Sequence, residues 1–88
     1  MPGRVLVTGG SGCIGMAICR TLREYGWTPI SGDLPAAHAA VDWSLPENAG
    51  ITTVDLDVTS RASVDAAVAT LGGEFAGLVN CAGILRDT

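Results

Sequence analysis

Residues 4–15 read RVLVTGGSGCIG, and this stretch decides the fold. Its first part, Arg4–Thr8, is a short β-branched run without polar alternation, which is typical of a strand buried on both faces of a sheet. Glycines then fill four of the next seven positions, and from Ile14 to Tyr25 apolar residues recur at helical spacing before Gly26. The stretch therefore predicts a strand, a tight turn and a helix.

The glycine loop has the spacing of a phosphate site, since it satisfies GxxGxxG from Gly9 and GxGxxG from Gly10. Glycine lets the backbone turn sharply and approach a pyrophosphate, while the helix N terminus supplies unpaired N–H donors. Gly15 lets the first helical turn pack closely on the strand. The rival interpretation is the P-loop of a nucleotide triphosphatase. It fails because Met16 follows where that motif needs lysine, and the chain contains no lysine.

The rest of the chain continues the alternation of strands and helices. Residues 27–34 and residues 51–58 have the pattern of a second and a third strand, the latter with alternating apolar and acidic positions. Between them, residues 35–50 are predicted to form an irregular connection with room for one helical turn. Residues 75–80 are predicted to form a fourth strand.

A second long helix is predicted before the fourth strand. Thr59 or Ser60 can cap it, its apolar stripe runs to Leu71, and Gly72 and Gly73 end it. Strands separated by helices indicate parallel βαβ units with right-handed crossovers.

The predicted fold class is α/β. We expect a Rossmann-type parallel sheet in the order β-α-β-β-α-β, half of a doubly wound three-layer fold that lacks its C-terminal half, with residues 1–88 as one NAD-binding domain. Such domains commonly need about 200 to 250 residues to cover both faces of the sheet. The fourth strand is therefore expected to be an open edge, and an uncovered apolar edge favours self-association.

Composition narrows the class of partner. With 48% hydrophobic and 16% charged residues the chain is expected to fold, and its net charge of −4 without a basic run argues against nucleic acid and anionic membranes. No apolar stretch is long enough for a membrane span or a signal peptide, so a cytoplasmic chain with a small-molecule partner is expected. Three scattered cysteines and one histidine argue against a metal site, and the cysteines are interpreted as core residues.

Asp33 falls at the end of the second predicted strand. A carboxylate there can accept hydrogen bonds from the adenosine ribose hydroxyls and repel a 2′-phosphate, which predicts NAD rather than NADP. The alternative is a solvent-facing turn residue in the pair Gly32-Asp33.

Three motifs in this order resemble the N-terminal part of the short-chain dehydrogenase/reductase family, over essentially all 88 residues. Residues 8–15, TGGSGCIG, resemble its TGxxxGxG cofactor loop. Asp57 and Val58 resemble the acidic residue and its neighbour that contact the adenine, and residues 80–83, NCAG, resemble its NNAG segment. Residues 82–87, AGILRD, are similar to the segment of 3-oxoacyl reductases and 3-hydroxyacyl-CoA dehydrogenases.

Cys13 departs from the family pattern. The classical branch of the family has glycine at this position, whereas the extended branch places its middle glycine one position earlier, at Gly12. Cys13 adds a side chain beside the pyrophosphate in the first alignment and is harmless in the second. The NCAG segment favours a classical enzyme with a variant loop.

The pattern and the resemblance together imply a cofactor site. Asp33 binds the adenosine ribose, while Asn80 lies on the nicotinamide side or, alternatively, is a buried amide that ties two strands together. The full set of predicted cofactor-binding residues is Gly9, Ser11, Gly12, Cys13, Ile14, Gly15, Asp33, Leu34, Asp57, Val58, Asn80, Ala82 and Gly83. No metal-binding residue is predicted.

No catalytic residue is predicted either. In the family, hydride transfer depends on a serine, a tyrosine and a lysine four residues after that tyrosine, all beyond the NNAG segment. Tyr25 is followed four positions later by Pro29 and is expected to pack on its helix, and His38 has no adjacent nucleophile in the sequence. This chain is therefore expected to be inactive alone.

The leading hypothesis is the NAD-binding part of a short-chain oxidoreductase that acts on a carbonyl or secondary alcohol, with a 3-oxoacyl or 3-hydroxyacyl thioester as the candidate substrate. Two alternatives stay open: a non-catalytic nucleotide-binding or assembly module, and an inactive truncated chain.

Overall fold

Strands and helices alternate along the chain, as the hydrophobic pattern predicts. The computed structural model of the protein describes residues 3–72 and 75–81. In chain order the elements are β1 (Arg4–Thr8), α1 (Cys13–Glu24), β2 (Thr28–Asp33), α2 (Pro35–Ala39), a 3₁₀ helix (Pro46–Asn48), β3 (Thr52–Asp55), α3 (Arg61–Leu71) and β4 (Gly77–Asn80).

The strands form one parallel sheet in the order β3-β2-β1-β4. Thr8, the last residue of β1, pairs with Gly32 of β2 and with Asn80 of β4. On the far side of β2, Asp33 pairs with Asp55 of β3. The carboxyl ends of the strands therefore meet at one edge of the sheet, where an open α/β sheet binds ligands. The predicted α/β fold class with a Rossmann-type parallel sheet is confirmed.

The core lies between α1 and the centre of the sheet. Val5 and Val7 of β1 pack with Cys19 of α1. Leu6 and its register partner Ile30 of β2 are also buried, but on the opposite face of the sheet. Because β1 has a strand on each side and α1 across it, burial along nearly its whole length agrees with its unbroken apolar run.

The face that α1 turns to the sheet differs from the predicted stripe. Its buried residues are Gly15, Met16 and Cys19, whereas Ile14 is 59% exposed and Tyr25, at the C-cap, is 75% exposed. The expectation that Tyr25 packs is therefore wrong. Gly15 lies against the backbone of Gly9 and Gly10, while Met16 and Cys19 are buried and Ile18 and Leu22 pack partly against the core.

The third strand is shorter than predicted, because it ends at Asp55 rather than at Val58. Asp57 accepts hydrogen bonds from the N–H and the hydroxyl of Thr59, and this local turn competes with further strand pairing. Leu56 is nevertheless 6% exposed, so the apolar position after the strand still reaches the core.

The connection from β2 to β3 contains two short helices, α2 and the 3₁₀ helix, each with proline in its first turn. The segment 35–50 therefore contains two helices, where the sequence predicted a single helical turn.

The caps of α3 agree with prediction: Ser60 accepts a hydrogen bond from the Ser63 N–H, and Gly72 ends the helix at φ 78°. Gly73 lies outside the described residues.

Candidate functional site

The loop between β1 and α1 turns at the carboxyl edge of the sheet. Gly9 adopts φ 68°, a conformation that favours glycine, and the N–H groups of Gly9 and Gly10 donate to the Gly32 carbonyl at 2.8 and 3.3 Å. These bonds fasten the loop to the end of β2. The loop is thereby held beside Asp33, the next residue of that strand.

Two loop glycines are required by close packing. A Cβ on Gly10 would lie 2.5 Å from Ser31 Oγ and 2.7 Å from the Val7 carbonyl oxygen, and a Cβ on Gly15 would overlap the Gly9 carbonyl. At Gly12 a Cβ would meet only the Gly9 carbonyl oxygen, at an ordinary 3.5 Å. Gly10 thus permits the loop to lie close to β1 and β2, and Gly15 permits the first turn of α1 to lie close to the loop backbone.

Cys13 is the first residue of α1 and is exposed. The positive φ values of the described residues belong to glycines, so Cys13 occupies a backbone position that needs no glycine. The interpretation of all three cysteines as core residues holds for Cys19, is wrong for Cys13, and is only partly right for the half-buried Cys81.

The N terminus of α1 opens toward a cleft. Gly12 is the N-cap and offers no side chain to cap the helix, so the first N–H groups, those of Cys13 and Ile14, have no intrahelical acceptor. A cleft of about 220 Å³ lies against this end of the helix. Its lining residues are Gly9, Gly12, Cys13, Ile14, Gly15 and Cys81. Free N–H donors and the positive end of the helix dipole suit an anion here.

Asp33 is held at the end of β2 by two backbone donors. The Ser11 N–H donates to Oδ2 at 3.1 Å, and the Leu34 N–H donates to Oδ1 at 2.8 Å. Each carboxylate oxygen keeps acceptor capacity for a further donor. Leu34 beside it is 48% exposed. The structure therefore places Asp33 against the glycine loop, as the predicted site requires.

A hydrogen-bonded cluster that the sequence interpretation missed lies behind this loop. Ser11 Oγ is 2.8 Å from Ser31 Oγ and 2.7 Å from Nδ1 of His38. The other ring nitrogen, Nε2, lies 2.9 Å from the Val54 carbonyl oxygen and 3.8 Å from Asp55 Oδ1. The sequence shows no nucleophile beside His38, and the structure brings the Ser11 hydroxyl to its ring. No sequence motif indicates this contact, because the two residues are 27 positions apart.

Asn80 joins β4 to β1. Its Oδ1 accepts a hydrogen bond from the Thr8 hydroxyl at 2.7 Å, and the next residue, Cys81, donates its N–H to the Thr8 carbonyl at 3.0 Å. The tie between strands is therefore present, but Asn80 is exposed rather than buried. Ala82 and Gly83, the other residues predicted for the nicotinamide side, lie outside the described residues.

Asp57 and Val58 follow β3 at the same edge of the sheet. The Thr59 hydroxyl and then the Thr59 N–H hold the pKa of the Asp57 carboxyl below its ordinary value of 3.8. Val58 is 45% exposed. Asp57 also donates its N–H to Ser63 Oγ at 2.8 Å, which fixes the turn to the start of α3. The two predicted adenine neighbours therefore lie on the β3 side of Asp33, away from the glycine loop.

Within residues 3–72 and 75–81, no group of three histidine, cysteine or acidic side chains is placed to hold a metal ion. Among the helices described, none has the length and apolar character needed to cross a membrane.

Comparison with known proteins decides the family. The family model described as short chain dehydrogenase matches residues 3–88. The chain belongs to the short-chain dehydrogenase family. A curated relative, acetoacetyl-CoA reductase of Allochromatium vinosum, is 38% identical over 89 residues, which cover 93% of this chain and 36% of that protein.

Two solved structures of short-chain dehydrogenases share this fold. The 3-hydroxyacyl-CoA dehydrogenase type-2 from Mycobacterium avium is 27% identical, with a TM-score of 0.69 over 92% of this chain and 32% of its own. A short chain dehydrogenase from Leptospira borgpetersenii with bound NAD+ is 26% identical, with a TM-score of 0.68 over 96% of this chain and 32% of its own. This chain thus spans about a third of the length of these relatives.

The loop of this chain fits the diphosphate of a nicotinamide dinucleotide, the cofactor class that the family match and the NAD+-bound neighbour support. Gly10 lets the loop pack closely on β1 and β2, Gly15 lets the first turn of α1 pack closely on the loop, and the N terminus of α1 borders the cleft. Asp33 lies one strand away with a fixed carboxylate. Together these features bring hydrogen-bond donors and a carboxylate acceptor to one edge of the sheet.

Proposed function

We propose that this chain is the NAD-binding part of an oxidoreductase that transfers hydride between a nicotinamide ring and a carbonyl or secondary alcohol. Residues 1–88 form a single nucleotide-binding unit in this proposal. The observation that carries it is the joint placement of a tightly packed glycine-rich loop, an uncapped helix N terminus and the fixed Asp33 carboxylate at one edge of a parallel sheet.

Each part of the site has a separate role in binding. The N–H groups of Cys13 and Ile14 donate to the diphosphate, and Asp33 accepts from the adenosine ribose hydroxyls. Val58 packs against the adenine, and Asn80 lies toward the nicotinamide end. When bound, the nicotinamide ring supplies the hydride chemistry. This chain's residues hold and orient the cofactor.

NAD is the proposed cofactor in preference to NADP. Asp33 carries a negative charge where the 2′-phosphate of NADP would lie, and like charges at close range repel. The short chain dehydrogenase from Leptospira borgpetersenii was solved with bound NAD+, which supports the same cofactor class.

A 3-oxoacyl or 3-hydroxyacyl thioester is the proposed substrate of the whole enzyme. The support comes from two relatives, an acetoacetyl-CoA reductase at 38% identity and a 3-hydroxyacyl-CoA dehydrogenase type-2 at 27% identity. Because residues 1–88 contain no lysine to pair with a catalytic tyrosine, these residues alone should bind cofactor without turning over substrate. We also assign the protein to the cytosol, since three free cysteines suit a reducing compartment.

Calorimetric titration of the purified protein with NAD+ tests the proposal, with fluorescence of Trp27 and Trp43 as a second signal. We expect saturable binding that Gly15→Val abolishes, because any side chain there overlaps the loop backbone. Gly77→Val is the matched control, since a Cβ on Gly77 meets nothing within 4 Å. A folded wild-type protein that binds no NAD+, or a Gly15→Val variant that binds it normally, would overturn the proposal.

A further inference from the structure

His38 sits on α2 behind the glycine loop, with only 11% of its side chain exposed. The groups that face its ring come from three elements. The Ser11 hydroxyl comes from the loop, the Val54 carbonyl and the Asp55 carboxylate come from β3, and the Trp43 ring lies with its centroid 6.4 Å away. The backbone is held as well, because the Trp43 indole N–H donates to the His38 carbonyl at 2.8 Å.

The chemistry of these neighbours fixes the tautomer of the neutral ring. A carbonyl oxygen can only accept, so the contact of 2.9 Å with Val54 requires the proton on Nε2. Nδ1 then carries a lone pair and accepts from the Ser11 hydroxyl at 2.7 Å. Ser11 Oγ is left free to accept from the hydroxyl of Ser31, a residue with no exposed surface, at 2.8 Å.

Ser11 also contacts Asp33, the residue proposed to bind the ribose. Its hydroxyl is bound to His38, while its backbone N–H donates to Asp33 Oδ2 at 3.1 Å. Ser11 is 8% exposed, so water has little access to replace a lost partner. The orientation of Ser11, and with it one of the two donors that hold Asp33, therefore depends on the acceptor at His38 Nδ1.

We propose that His38 is a positioning residue for the adenosine end of the site. It fixes the Ser11 hydroxyl, and Ser11 in turn holds the Asp33 carboxylate in the orientation that accepts the ribose hydroxyls. His38 itself makes no contact with the ligand in this proposal. The inference rests on the proposed function and adds a residue that lies outside the predicted cofactor site.

Two amide substitutions separate this role from simple packing. In His38→Asn the amide oxygen stands near the position of Nδ1, so the acceptor for Ser11 is retained. In His38→Gln the amide stands near the position of Nε2, so the contact with the Val54 carbonyl is retained and the acceptor for Ser11 is lost. His38→Leu loses both contacts. If His38 only anchored α2 to β3, glutamine would be the better replacement.

The test measures the affinities for NAD+ and for ADP-ribose by calorimetry in the wild type and the three variants, with circular dichroism as the check on folding. A lost hydrogen bond of ordinary strength predicts that His38→Leu weakens both ligands about tenfold. His38→Asn should recover most of this loss and His38→Gln should not. Equal loss for the two ligands is expected, because both contain the adenosine ribose.

Other outcomes overturn the inference. Wild-type affinity in His38→Leu, rescue by glutamine, or failure of asparagine to rescue would each show that the contact with Ser11 is not what matters. Nitrogen NMR of the wild type gives a second test that needs no variant: a proton on Nε2 is expected, and a neutral ring with its proton on Nδ1 would contradict the inference. A wild type that binds neither ligand overturns the proposed function as well, whereas normal wild-type binding with an unaffected His38→Leu variant overturns only the role of His38.

Discussion

The glycines of the loop differ in what an added side chain would meet. A methyl group on Gly15 would overlap the carbonyl of Gly9, whereas on Gly12 it would reach ordinary contact distance only. Gly12 also has φ −81°, which any residue adopts. The glycines of the family motif thus have different structural roles. Gly15 permits close packing of α1 on the loop, whereas Gly12 only leaves room beside the cleft.

Gly15→Ala should destabilise the protein by about 1–3 kcal/mol, since an overpacked site forces the backbone to shift. Gly12→Ala should change the free energy of unfolding by less than about 0.5 kcal/mol. Urea denaturation of both variants measures the difference. Equal losses in the two variants would show that the close approach of α1 to the loop does not depend on Gly15.

Asp33→Asn should narrow the preference for NAD over NADP by about tenfold, because it removes a charged acceptor and the repulsion of the 2′-phosphate. The measurement is the ratio of the dissociation constants for NAD+ and NADP+. If catalysis is the readout, the substitution is made in a longer protein that contains catalytic residues. Asp65→Asn is the control, since Asp65 lies on α3 and pairs with Arg61. An unchanged ratio would mean that Asp33 is a turn residue.

Burial raises the pKa of the Cys19 thiol from 9.0 to about 11, with a smaller contribution from Cys81. The folded state therefore holds this proton more tightly than the unfolded state does. The resulting stability is fully present below pH 9 and is lost as the pH rises toward 11. Cys19→Ala should show a shallower fall of unfolding free energy over this range than the wild type or the Cys13→Ala control. Parallel curves for all three proteins would contradict the prediction.

At the scale of elements, periodicity predicts the strands and long helices but not their packed faces. β1 matches its apolar run residue for residue, and α3 starts at its predicted cap, Ser60. The predicted stripe of α1 was wrong at Ile14 and Tyr25, which are exposed, whereas Met16 and Cys19 are buried. The end of β3 depends on a side-chain turn at Asp57, which alternation of apolar residues does not reveal.

The connection between β2 and β3 is the element that the pattern explains least. It is held by Asn48, which is 3% exposed, accepts from Arg20 Nε at 3.0 Å and donates to the Asp42 carbonyl at 2.8 Å. These contacts join residues that are 28 and 6 positions apart. The hydrogen bonds of the Asn48 side chain leave no periodic pattern in the sequence, and neither does the contact of His38 with Ser11.

Asn48→Leu should destabilise the protein by about 1–3 kcal/mol, because the Asp42 carbonyl and the Arg20 guanidinium lose their buried partner. The matched control is Glu47→Gln, which removes an exposed ion pair with Arg20 at 3.6 Å and should cost less than about 1 kcal/mol. Thermal or urea unfolding compares the two. A loss in Glu47→Gln as large as in Asn48→Leu would show that the ion pair, rather than the buried amide, holds the connection.

At the scale of the whole molecule, apolar surface remains on the sheet edge and on α1. Leu78 of β4 is 65% exposed, and Ile14 of α1 is 59% exposed. A second open cleft, of about 450 Å³, runs along the apolar side of α1 beside Ile18 and Leu22. Leu78 is in register with Leu6, whereas Val5 and Val7 pack with α1, so the apolar surfaces of β4 and α1 lie on opposite faces of the sheet. Exposed apolar surface of this kind favours association.

The edge strand β4 supports a last prediction, that residues 1–88 associate through this edge. Within residues 3–72 and 75–81, β4 pairs only with β1, so its outer edge presents backbone groups, and the exposed Leu78 lies on one face of the same strand. Leu78→Lys should shift the protein toward monomer in sedimentation velocity over a concentration series, because a charge on an edge strand opposes strand pairing. Tyr25→Lys is the control, since Tyr25 is 75% exposed but lies at the end of α1. A wild type that stays monomeric at high concentration, or association weakened equally by both substitutions, would show that the β4 edge is not the contact surface.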